Sequence, residues 1–382
     1  EKARMRTIGL MSGTSLDGVD GILCEWNDNA DQDPGLSQLA MPSVLSFVHQ
    51  DFDPQLRNEL FALQTSGMNE LERAALAANG VAMAYARVSQ TLLKQAGLQA
   101  SDIRVTGAHG QTVRHQPNTS PQHPVENAYT IQLLNAALLS EQTKIPTVHD
   151  LRSRDIAAGG QGAPLVPAFH ASLFGKKNHT QIVCNIGGIA NISILHADGS
   201  VTGFDTGPGN CLMDYWATQY LGCAFDKDGA FAASGFINEP LQAKMLQDPY
   251  FTRDIPKSTG RDLFNPPWLE AMLQEFRALA PADVQATLCE LTAHSISDAI
   301  KKHAPKAQQV WVCGGGAFNR TLMGRLQKLT DFPCTATSAY GVPEMQVEAL
   351  AFAWLARAYV LGKAANLPSV TGAKGRRILG SY

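Results

Sequence analysis

Small and hydroxyl-bearing residues are grouped with carboxylates in the stretch Ser12-Gly-Thr-Ser-Leu-Asp-Gly18 and at Asp20. Glycines near the two ends of this stretch let the backbone approach a ligand, and main-chain N–H groups at such a turn form a nest that binds anions. Thr14 and Ser15 add hydroxyl donors, and Asp17 and Asp20 suit Mg2+ or its water ligands. The stretch therefore indicates a phosphate loop, with a plain hairpin tip as the alternative.

A further carboxylate stands in the loop Gly203-Phe-Asp-Thr-Gly-Pro-Gly-Asn210, ahead of an apparent helix start at Cys211. A carboxylate before a rigid Gly-Pro-Gly turn at a helix N-terminus can act as a base beside a bound anion. Asp205 is therefore a candidate general base. The alternative is structural, with Asp205 capping its own turn and Asn210 capping the helix.

Three glycines at 314–316 follow a short apolar segment, Gln309–Cys313, and precede a predicted helix at about 319–329. Glycine loses more conformational entropy on folding than any other residue, so three in succession exceed what a simple connection needs. Close approach of a flat ligand, such as a nucleotide base or ribose, would account for them. A tight strand-to-helix joint is the alternative.

Two polar stretches remain, Gly107-Ala-His-Gly-Gln-Thr-Val-Arg-His115 and Asp150-Leu-Arg-Ser-Arg-Asp155. Arginine grouped with Gln, Thr and Asp suits a substrate that carries hydroxyls or a carboxylate, since a guanidinium binds a carboxylate through two N–H groups. Structural ion pairs are the alternative. The histidines show no HExxH-type spacing, so no metal site is expected among them.

Composition and charge exclude several classes of protein. With 45% hydrophobic and 17% charged residues the chain is ordinary for a compact protein, and a net charge of −3 lacks the positive field of a nucleic-acid or membrane-surface binder. No apolar run approaches the roughly 20 residues of a membrane span, and the charged segment 1–6 is not expected to act as a secretory signal. Seven cysteines without CxxC spacing predict free thiols in a reducing cytosol. The P-loop and GxGxxG motifs are both absent.

The elements that must position these loops repeat along the chain. The segments 6–11 and 19–26 predict a hairpin around the first loop, and Gln181–Ile186 with Ile189–Leu195 predict another, about half a chain later. Two lobes, each opening with such a hairpin, are therefore expected.

Helices are predicted in both halves of the chain. Their expected ranges are 69–97, 283–303, 344–361 and a stretch beginning at Val166. Leu71, Ala75, Ala78 and Ala82 are expected near one face of the first helix, and Asp283 is expected to cap the second.

The order of these loops resembles that of the sugar kinase, heat-shock ATPase and actin superfamily. More specifically, Ile8-Gly-Leu-Met-Ser-Gly-Thr-Ser-Leu-Asp-Gly-Val-Asp20 resembles the opening signature of the anhydro-N-acetylmuramic acid kinase family. Further matches to that family are Gly107-Ala-His-Gly-Gln-Thr-Val-Arg114, Arg154-Asp-Ile-Ala-Ala-Gly-Gly-Gln-Gly-Ala-Pro-Leu165, Asn185-Ile-Gly-Gly-Ile-Ala-Asn191, Gly203-Phe-Asp-Thr-Gly-Pro-Gly-Asn210, Lys257-Ser-Thr-Gly-Arg261 and Cys313-Gly-Gly-Gly-Ala-Phe-Asn319. The matches span almost the whole chain in the order of the family.

The resemblance implies an α/β protein with the two-lobed actin-like, sugar-kinase (ribonuclease H-like) ATPase fold and an active site in the interlobe cleft. It implies an N-terminal lobe of 1–150 plus about 352–382, and a C-terminal lobe of 151–351. The implied activity is that of a cytoplasmic enzyme of peptidoglycan recycling and amino-sugar catabolism. It would convert 1,6-anhydro-N-acetylmuramic acid, ATP and water to N-acetylmuramic acid 6-phosphate and ADP, with Mg2+ neutralising the phosphates.

The resemblance also implies roles for individual residues. Asp205 is expected to deprotonate the attacking water, with Glu348 as a second acidic residue near that water. The residues expected to bind ATP are Gly13, Thr14, Ser15, Leu16, Asp17, Gly18, Val19, Asp20, Gly187, Gly188, Asn191, Gly207, Gly209, Asn210, Gly314, Gly315, Gly316 and Asn319. Those expected to bind the sugar are Gln111, Thr112, Arg152 and Arg154, and those expected to hold Mg2+ through water are Asp17 and Asp20. Lys257 and Arg261 lie on a loop that could close over the active site.

Two other functions stay open at this point. A hexose or N-acetylhexosamine kinase would use one Asp to deprotonate the sugar hydroxyl directly, whereas a second carboxylate and the arginines favour the anhydro-sugar. A nucleotide-gated binding or chaperone module would need an additional domain, for which 382 residues leave little room. A small-molecule substrate and a possible homodimer are expected, with no nucleic-acid or membrane partner.

Overall fold

A computed structural model of the chain describes residues 4–26, 41–117 and 124–382. The chain divides into two compact units. Unit 1 comprises Glu1–Gly175 and Gln346–Tyr382, and unit 2 comprises Lys176–Met345. Residues 1–3, part of the charged segment 1–6, lie outside the described residues.

Unit 1 contains a mixed sheet and a separate hairpin. Its strands are β1 (Met5–Met11), β2 (Gly18–Trp26), β3 (Ser43–Asp51), β4 (Val105–Ala108), β5 (Gln111–Gln116), β6 (Tyr129–Leu133) and β7 (Thr147–Val148). Five of them form one sheet in the order β3-β2-β1-β4-β7. In it β1, β2 and β3 pair antiparallel, whereas β4 and β7 run parallel to β1. Strands β5 and β6 form the antiparallel hairpin.

Unit 2 repeats the topology of that sheet. Its strands are β8 (Gln181–Ile186), β9 (Ile189–Leu195), β10 (Val201–Pro208), β11 (Gln309–Cys313) and β12 (Cys334–Ala336). They form one sheet in the order β10-β9-β8-β11-β12, with three antiparallel strands followed by two that run parallel to β8. Both predicted hairpins are confirmed, at β1–β2 and at β8–β9. The two mixed sheets with their helices confirm the predicted α/β class.

Helices flank both sheets. In unit 1 they are α1 (Pro54–Ala62), α2 (Glu70–Ala96), α3 (Ala136–Thr143), α4 (Ser153–Ala157) and α5 (Pro167–Phe174). In unit 2 they are α6 (Cys211–Leu221), α7 (Ala230–Ala233), α8 (Glu239–Leu246), α9 (Pro249–Thr252), α10 (Pro266–Leu273), α11 (Pro281–His303) and α12 (Arg320–Leu329). The chain returns to unit 1 with α13 (Val347–Val360) and α14 (Pro368–Thr371).

One residue of the predicted face of α2 is exposed, and one predicted helix cap is wrong. Leu71 is 89% exposed, because α2 packs on the sheet through its later turns, where Val88 and Leu92 approach the backbone of β2. Asp283 is not the cap of α11, since the helix begins at a proline whose fixed φ suits the first helical position. Its carboxylate accepts a hydrogen bond from the Phe236 N–H instead, at 2.8 Å.

The segment 151–175 packs in unit 1, although the resemblance placed it in the C-terminal lobe. The carboxylate of buried Asp155 accepts hydrogen bonds from Asn366 Nδ2 at 2.8 Å and from Thr371 Oγ1 at 2.7 Å. Its second oxygen accepts from the Gly162 N–H at 2.8 Å. One buried carboxylate therefore ties this segment to the C-terminal part of the chain.

Two exclusions made from composition can be compared with the structure. All seven cysteines are free thiols, and five of them are buried, as expected from their apolar surroundings. No helix in the described ranges combines the length and the apolar character needed to cross a membrane.

Candidate active site

The first candidate phosphate loop connects β1 to β2. Leu16 is buried with a positive φ of 55°, and its N–H donates to the Gly13 carbonyl at 3.2 Å, which closes the turn. Burial of this side chain leaves Gly13, Thr14 and Ser15 partly exposed at the tip, where an anion can reach them. Gly18 serves packing instead, since an added Cβ would lie 2.3 Å from a main-chain oxygen of β3.

The two carboxylates of this loop have different surroundings. Asp17 is exposed, and its Oδ1 accepts a hydrogen bond from Ser15 Oγ at 2.7 Å. Asp20 stands opposite His49 in the β2–β3 register, with its Oδ1 2.7 Å from His49 Nδ1. The pKa of His49 is raised to about 9, mainly by this hydrogen bond, so the ring is cationic at neutral pH. Sequence reasoning missed His49 because only strand pairing brings it opposite Asp20.

The donor set of this loop fits a magnesium ion that is held mostly by phosphate oxygens and water. Such an ion commonly takes one or two protein carboxylates, and Asp17 and Asp20 supply two hard oxygen donors. Across residues 4–26, 41–117 and 124–382, no group of three or more His, Cys, Asp or Glu side chains could hold a metal. A cage built only from such side chains is therefore absent from those ranges.

The second hairpin, between β8 and β9, is bonded to the loop that carries Asp205. The Gly209 N–H donates to Gly188 O at 2.9 Å, and the Asn210 N–H donates to Gly187 O at 2.8 Å. An added Cβ on Gly209 would lie 2.2 Å from Gly187 O, so only glycine permits this approach. Asn191 Oδ1 is buried beside the hairpin and has no partner among the described residues.

Asp205 lies at a bulge in β10, where the pairing with β9 shifts between Asp205 and Gly207. Bulges re-aim side chains and are frequent beside active sites. The residue is only 7% exposed, and its Oδ2 accepts a hydrogen bond from the Thr259 N–H at 3.0 Å. Asn210 stands at the N-cap position of α6 without a side-chain capping bond, and its Nδ2 donates to Ile186 O at 3.2 Å. The capping role that was the alternative for Asn210 is therefore wrong.

A segment that includes α9 holds the main chain of Asp205. Tyr250 Oη donates to Asp205 O at 2.6 Å, and the Asp205 N–H donates to Lys257 O at 3.2 Å. Lys257 Nζ donates to Tyr250 O at 3.1 Å and lies 4.6 Å from the centre of the Tyr250 ring. Burial lowers the pKa of Lys257 to about 8. Lys257 therefore supports the fold around Asp205, and no motif signalled its partner Tyr250.

Two of the three consecutive glycines serve packing. Gly314 has a φ of 78°, and an added Cβ would lie 2.5 Å from Asn185 Oδ1. At Gly316 an added Cβ would lie 2.4 Å from Ile186 Cγ2, whereas at Gly315 it would meet nothing closer than 3.6 Å. The tight strand-to-helix joint therefore accounts for Gly314 and Gly316, and Gly315 leaves room for a ligand.

Asn319, which follows this turn, is the N-cap of α12. Its Oδ1 accepts a hydrogen bond from the Leu322 N–H at 2.9 Å, and the residue is 8% exposed. A side-chain oxygen that caps the first turn satisfies one of the N–H groups that a helix leaves unpaired. The carbonyl end of this amide is therefore engaged within unit 2.

Residues predicted to bind the sugar lie in unit 1 on β5 and around the start of α4. Gln111 is 1% exposed, and its Nε2 donates to Gly13 O at 3.1 Å. Thr112 is partly exposed, and its Oγ1 accepts from Gln132 Nε2 at 3.2 Å. Arg154 is exposed on α4, one position beyond its first residue.

Arg152 is held by a histidine whose role the sequence did not reveal. Its Nε and Nη2 lie 3.1 and 2.9 Å from His109 Nε2, and its Nη1 donates to Gly162 O at 2.9 Å. His109 Nδ1 is 2.7 Å from Gly110 O. Burial, followed by the charge of Arg152, lowers the pKa of His109 to about 3, so the ring is neutral and Nε2 accepts. These two partners of the guanidinium, the His109 ring and the Gly162 carbonyl, are neutral groups.

Glu348 lies in the first turn of α13, which rests directly on β1 and β4. A Cβ added to Gly9 in β1 would lie 2.0 Å from a main-chain oxygen of α13. A Cβ added to Gly107 in β4 would lie 2.2 Å from another main-chain oxygen of that helix. The absence of a side chain at both positions lets the helix touch the sheet. Phe352 follows Glu348 by one turn, and its ring centre is 4.9 Å from that of His109. The helix thus places Glu348 one turn before Phe352, which contacts His109, the histidine bonded to Arg152.

Comparisons with known proteins agree with this arrangement. Residues 5–382 match the sequence model of the family described as anhydro-N-acetylmuramic acid kinase. The anhydro-N-acetylmuramic acid kinase of Burkholderia thailandensis is 50% identical over 98% of this chain and 96% of that protein. The protein of the same name from Cupriavidus pinatubonensis is 51% identical over 98% of this chain and 97% of that protein.

A distant likeness appears among solved structures. Component A of the Acidaminococcus fermentans (R)-2-hydroxyglutaryl-CoA dehydratase is 13% identical, with a TM-score of 0.45 over 94% of this chain and 100% of that one. That likeness is too remote to bear on function. The sequence match, in contrast, covers both units and every candidate loop, so the chain belongs to the anhydro-N-acetylmuramic acid kinase family.

Proposed function

We propose that this chain is an ATP-dependent kinase of 1,6-anhydro-N-acetylmuramic acid that forms N-acetylmuramic acid 6-phosphate and ADP. Its place is the cytoplasmic recycling of peptidoglycan. The match of residues 5–382 to the family supports the reaction. Relatives that are 50% and 51% identical to this chain are named anhydro-N-acetylmuramic acid kinase. A kinase of an anhydro-sugar must also activate water, which requires a base beside the phosphate loops.

The observation that carries the proposal is the buried carboxylate of Asp205. A main-chain N–H, that of Thr259, bonds one of its oxygens, and Tyr250 and Lys257 bond its main chain. These bonds come from a segment about 50 residues further along the chain, so the carboxylate plane is set by the tertiary structure. A base held in one orientation beside the β8–β9 hairpin suits proton transfer from a bound water.

In the proposed reaction, Asp205 takes a proton from water as the water oxygen attacks C1 of the sugar. The C1–O6 bond breaks, and its electron pair passes to O6. O6 attacks the γ-phosphorus, the bond to the β,γ-bridging oxygen breaks, and ADP leaves. The proton on Asp205 then returns to solvent. We assign Glu348 as a second acidic group for this water.

The ATP phosphates are assigned to the tip of the first loop and to the second hairpin. The residues assigned to them are Gly13, Thr14, Ser15, Leu16, Asp17, Gly18, Val19, Asp20, Gly187, Gly188, Asn191, Gly207, Gly209 and Asn210. The nucleoside is assigned to Gly314, Gly315, Gly316 and Asn319. Among the three glycines, Gly315 is the one with space beside it for a ligand. When bound, Mg2+ neutralises phosphate charge, and Asp17 and Asp20 would hold its water ligands.

The sugar is assigned to Gln111, Thr112, Arg152 and Arg154. The lactyl group of the sugar carries a carboxylate, and a guanidinium is its preferred partner because two N–H groups match two oxygens. The two bonds from Arg152 to His109, and that to Gly162, hold the guanidinium in place. A positively charged guanidinium held in this way supports an anionic group as the ligand of Arg152.

The test is an ADP-release assay with 1,6-anhydro-N-acetylmuramic acid in water enriched in 18O, with the product analysed by mass spectrometry. We expect one 18O at C1 and a phosphate on O6. Release of ADP with an unlabelled product would remove the hydrolytic step from the proposal. Phosphorylation of glucose or N-acetylglucosamine, with none of the anhydro-sugar, would establish the plain sugar-kinase alternative instead.

A further inference from the structure

Gln111 is a buried side chain that contacts the phosphate loop directly. It is 1% exposed at the start of β5, and its Nε2 donates to the Gly13 carbonyl at 3.1 Å. A carbonyl oxygen only accepts hydrogen bonds, so the amide must present its nitrogen to Gly13. The amide oxygen, Oε1, therefore points the other way.

That oxygen is the unusual feature. Gln111 Oε1 is buried and has no hydrogen-bond partner in the described part of the chain. An unsatisfied buried acceptor destabilises the fold, and such groups call for an explanation. A ligand that brings an O–H or N–H group would satisfy it, whereas a phosphate or carboxylate oxygen would not. The chemistry thus selects a hydroxyl or an amide N–H of a sugar.

The backbone before Gln111 is fixed, so the side chain has little freedom to turn away. The Gly110 carbonyl accepts a hydrogen bond from Ser12 Oγ at 3.1 Å and lies 2.7 Å from His109 Nδ1. Gly110 itself has a φ of 80°, a conformation that glycine adopts freely. Gln111 then pairs with Leu133 in the β5–β6 ladder.

We propose that Gln111 couples the two substrates: Oε1 accepts a hydrogen bond from a hydroxyl or amide N–H of the sugar while Nε2 holds the Gly13 end of the phosphate loop. The inference rests on the proposed function, because it takes the sugar and ATP as the ligands. A sugar bound at Oε1 immobilises the amide and, through Nε2, the Gly13 carbonyl. The sugar thus favours the loop conformation in which Gly13 O is held by Gln111, so each substrate binds more tightly in the presence of the other.

The experiment is isothermal titration of the β,γ-imido analogue of ATP with Mg2+, with and without saturating 1,6-anhydro-N-acetylmuramic acid. For the unaltered protein we expect the sugar to lower the Kd of the analogue roughly tenfold, within the usual range of coupling between sites. Gln111→Met keeps the length of the side chain and removes both polar atoms, so this ratio should fall to within twofold of one. Gln116→Met, the same change at an exposed position of β5, should leave the ratio unchanged.

Gln111→Glu is the second variant and serves also if the methionine variant does not fold. It keeps an acceptor for the sugar but loses the donor to Gly13 O, so the sugar should still bind while the ratio falls. An unchanged ratio in either folded variant, or a ratio of one in the unaltered protein, overturns the coupling role. Absence of ADP release with 1,6-anhydro-N-acetylmuramic acid in the unaltered protein would instead overturn the proposed function.

Discussion

Asp205→Asn is the substitution that isolates the proposed base. The amide of asparagine has nearly the shape of the carboxylate, and its oxygen can accept the 3.0 Å hydrogen bond from the Thr259 N–H. The main-chain bonds from Tyr250 and to Lys257 are unaffected, because they involve the backbone of residue 205. The variant therefore keeps these hydrogen bonds and loses the ability to take a proton.

The expected size of the effect follows from that difference. A general base contributes roughly 10²–10⁴-fold to rate, so kcat should fall by that factor, which corresponds to about 3–5 kcal/mol in the activation free energy. Nucleotide affinity should change little, because the candidate phosphate contacts come from backbone and hydroxyl groups of the hairpins. The loss should therefore appear in kcat and not in the Kd of the ATP analogue.

The assay combines steady-state ADP release with titration of the β,γ-imido analogue. The matched control is Asp228→Asn in the same unit, where the carboxylate is 49% exposed and lies 3.9 Å from Arg320 Nε. The control should retain kcat within about twofold, as expected of a surface substitution. A kcat for Asp205→Asn within tenfold of the unaltered value would refute the assignment of Asp205 as the base.

Two further predictions concern the scaffold of the site. Gly9→Ala would put a Cβ 2.0 Å from Ala349 O, so we expect a loss of roughly 1–3 kcal/mol in the free energy of unfolding by denaturant, whereas Gly324→Ala, with nothing within 4 Å, should cost nothing. An unaffected Gly9→Ala would contradict the tight packing of α13. Acid should also destabilise the fold: His109 and His170 have pKa values of about 3 in place of 6.5, so the unfolded chain binds more protons and stability falls as pH drops below 6.5. Each should cost about 2 kcal/mol by pH 5, which urea unfolding across pH 5–7.5 measures; a flat profile would argue against neutral burial.

Features that depend on neighbouring residues were predictable from the sequence. The hairpins at β1–β2 and β8–β9 follow from short apolar runs interrupted by glycine and hydroxyl residues, a signal that operates within about ten positions. The loops that carry Gly13, Asp205 and Gly315 were identified in the same way, together with the family to which their order belongs. The repeat of one hairpin in each half also predicted that each half of the chain opens with a hairpin, whereas the full order of strands in the two sheets was not predicted.

Features that depend on packing were decided by the tertiary structure alone. His49 reaches Asp20 through strand pairing, His109 reaches Arg152 across separate loops, and Tyr250 reaches the backbone of a residue 45 positions away. The same holds for the glycines at 314 and 316, whose close approach to β8 appears only in the fold. Hydrogen-bond partners and close backbone approaches are set by the pairing of distant segments, and a pattern of neighbouring residues carries no information about which segments pair.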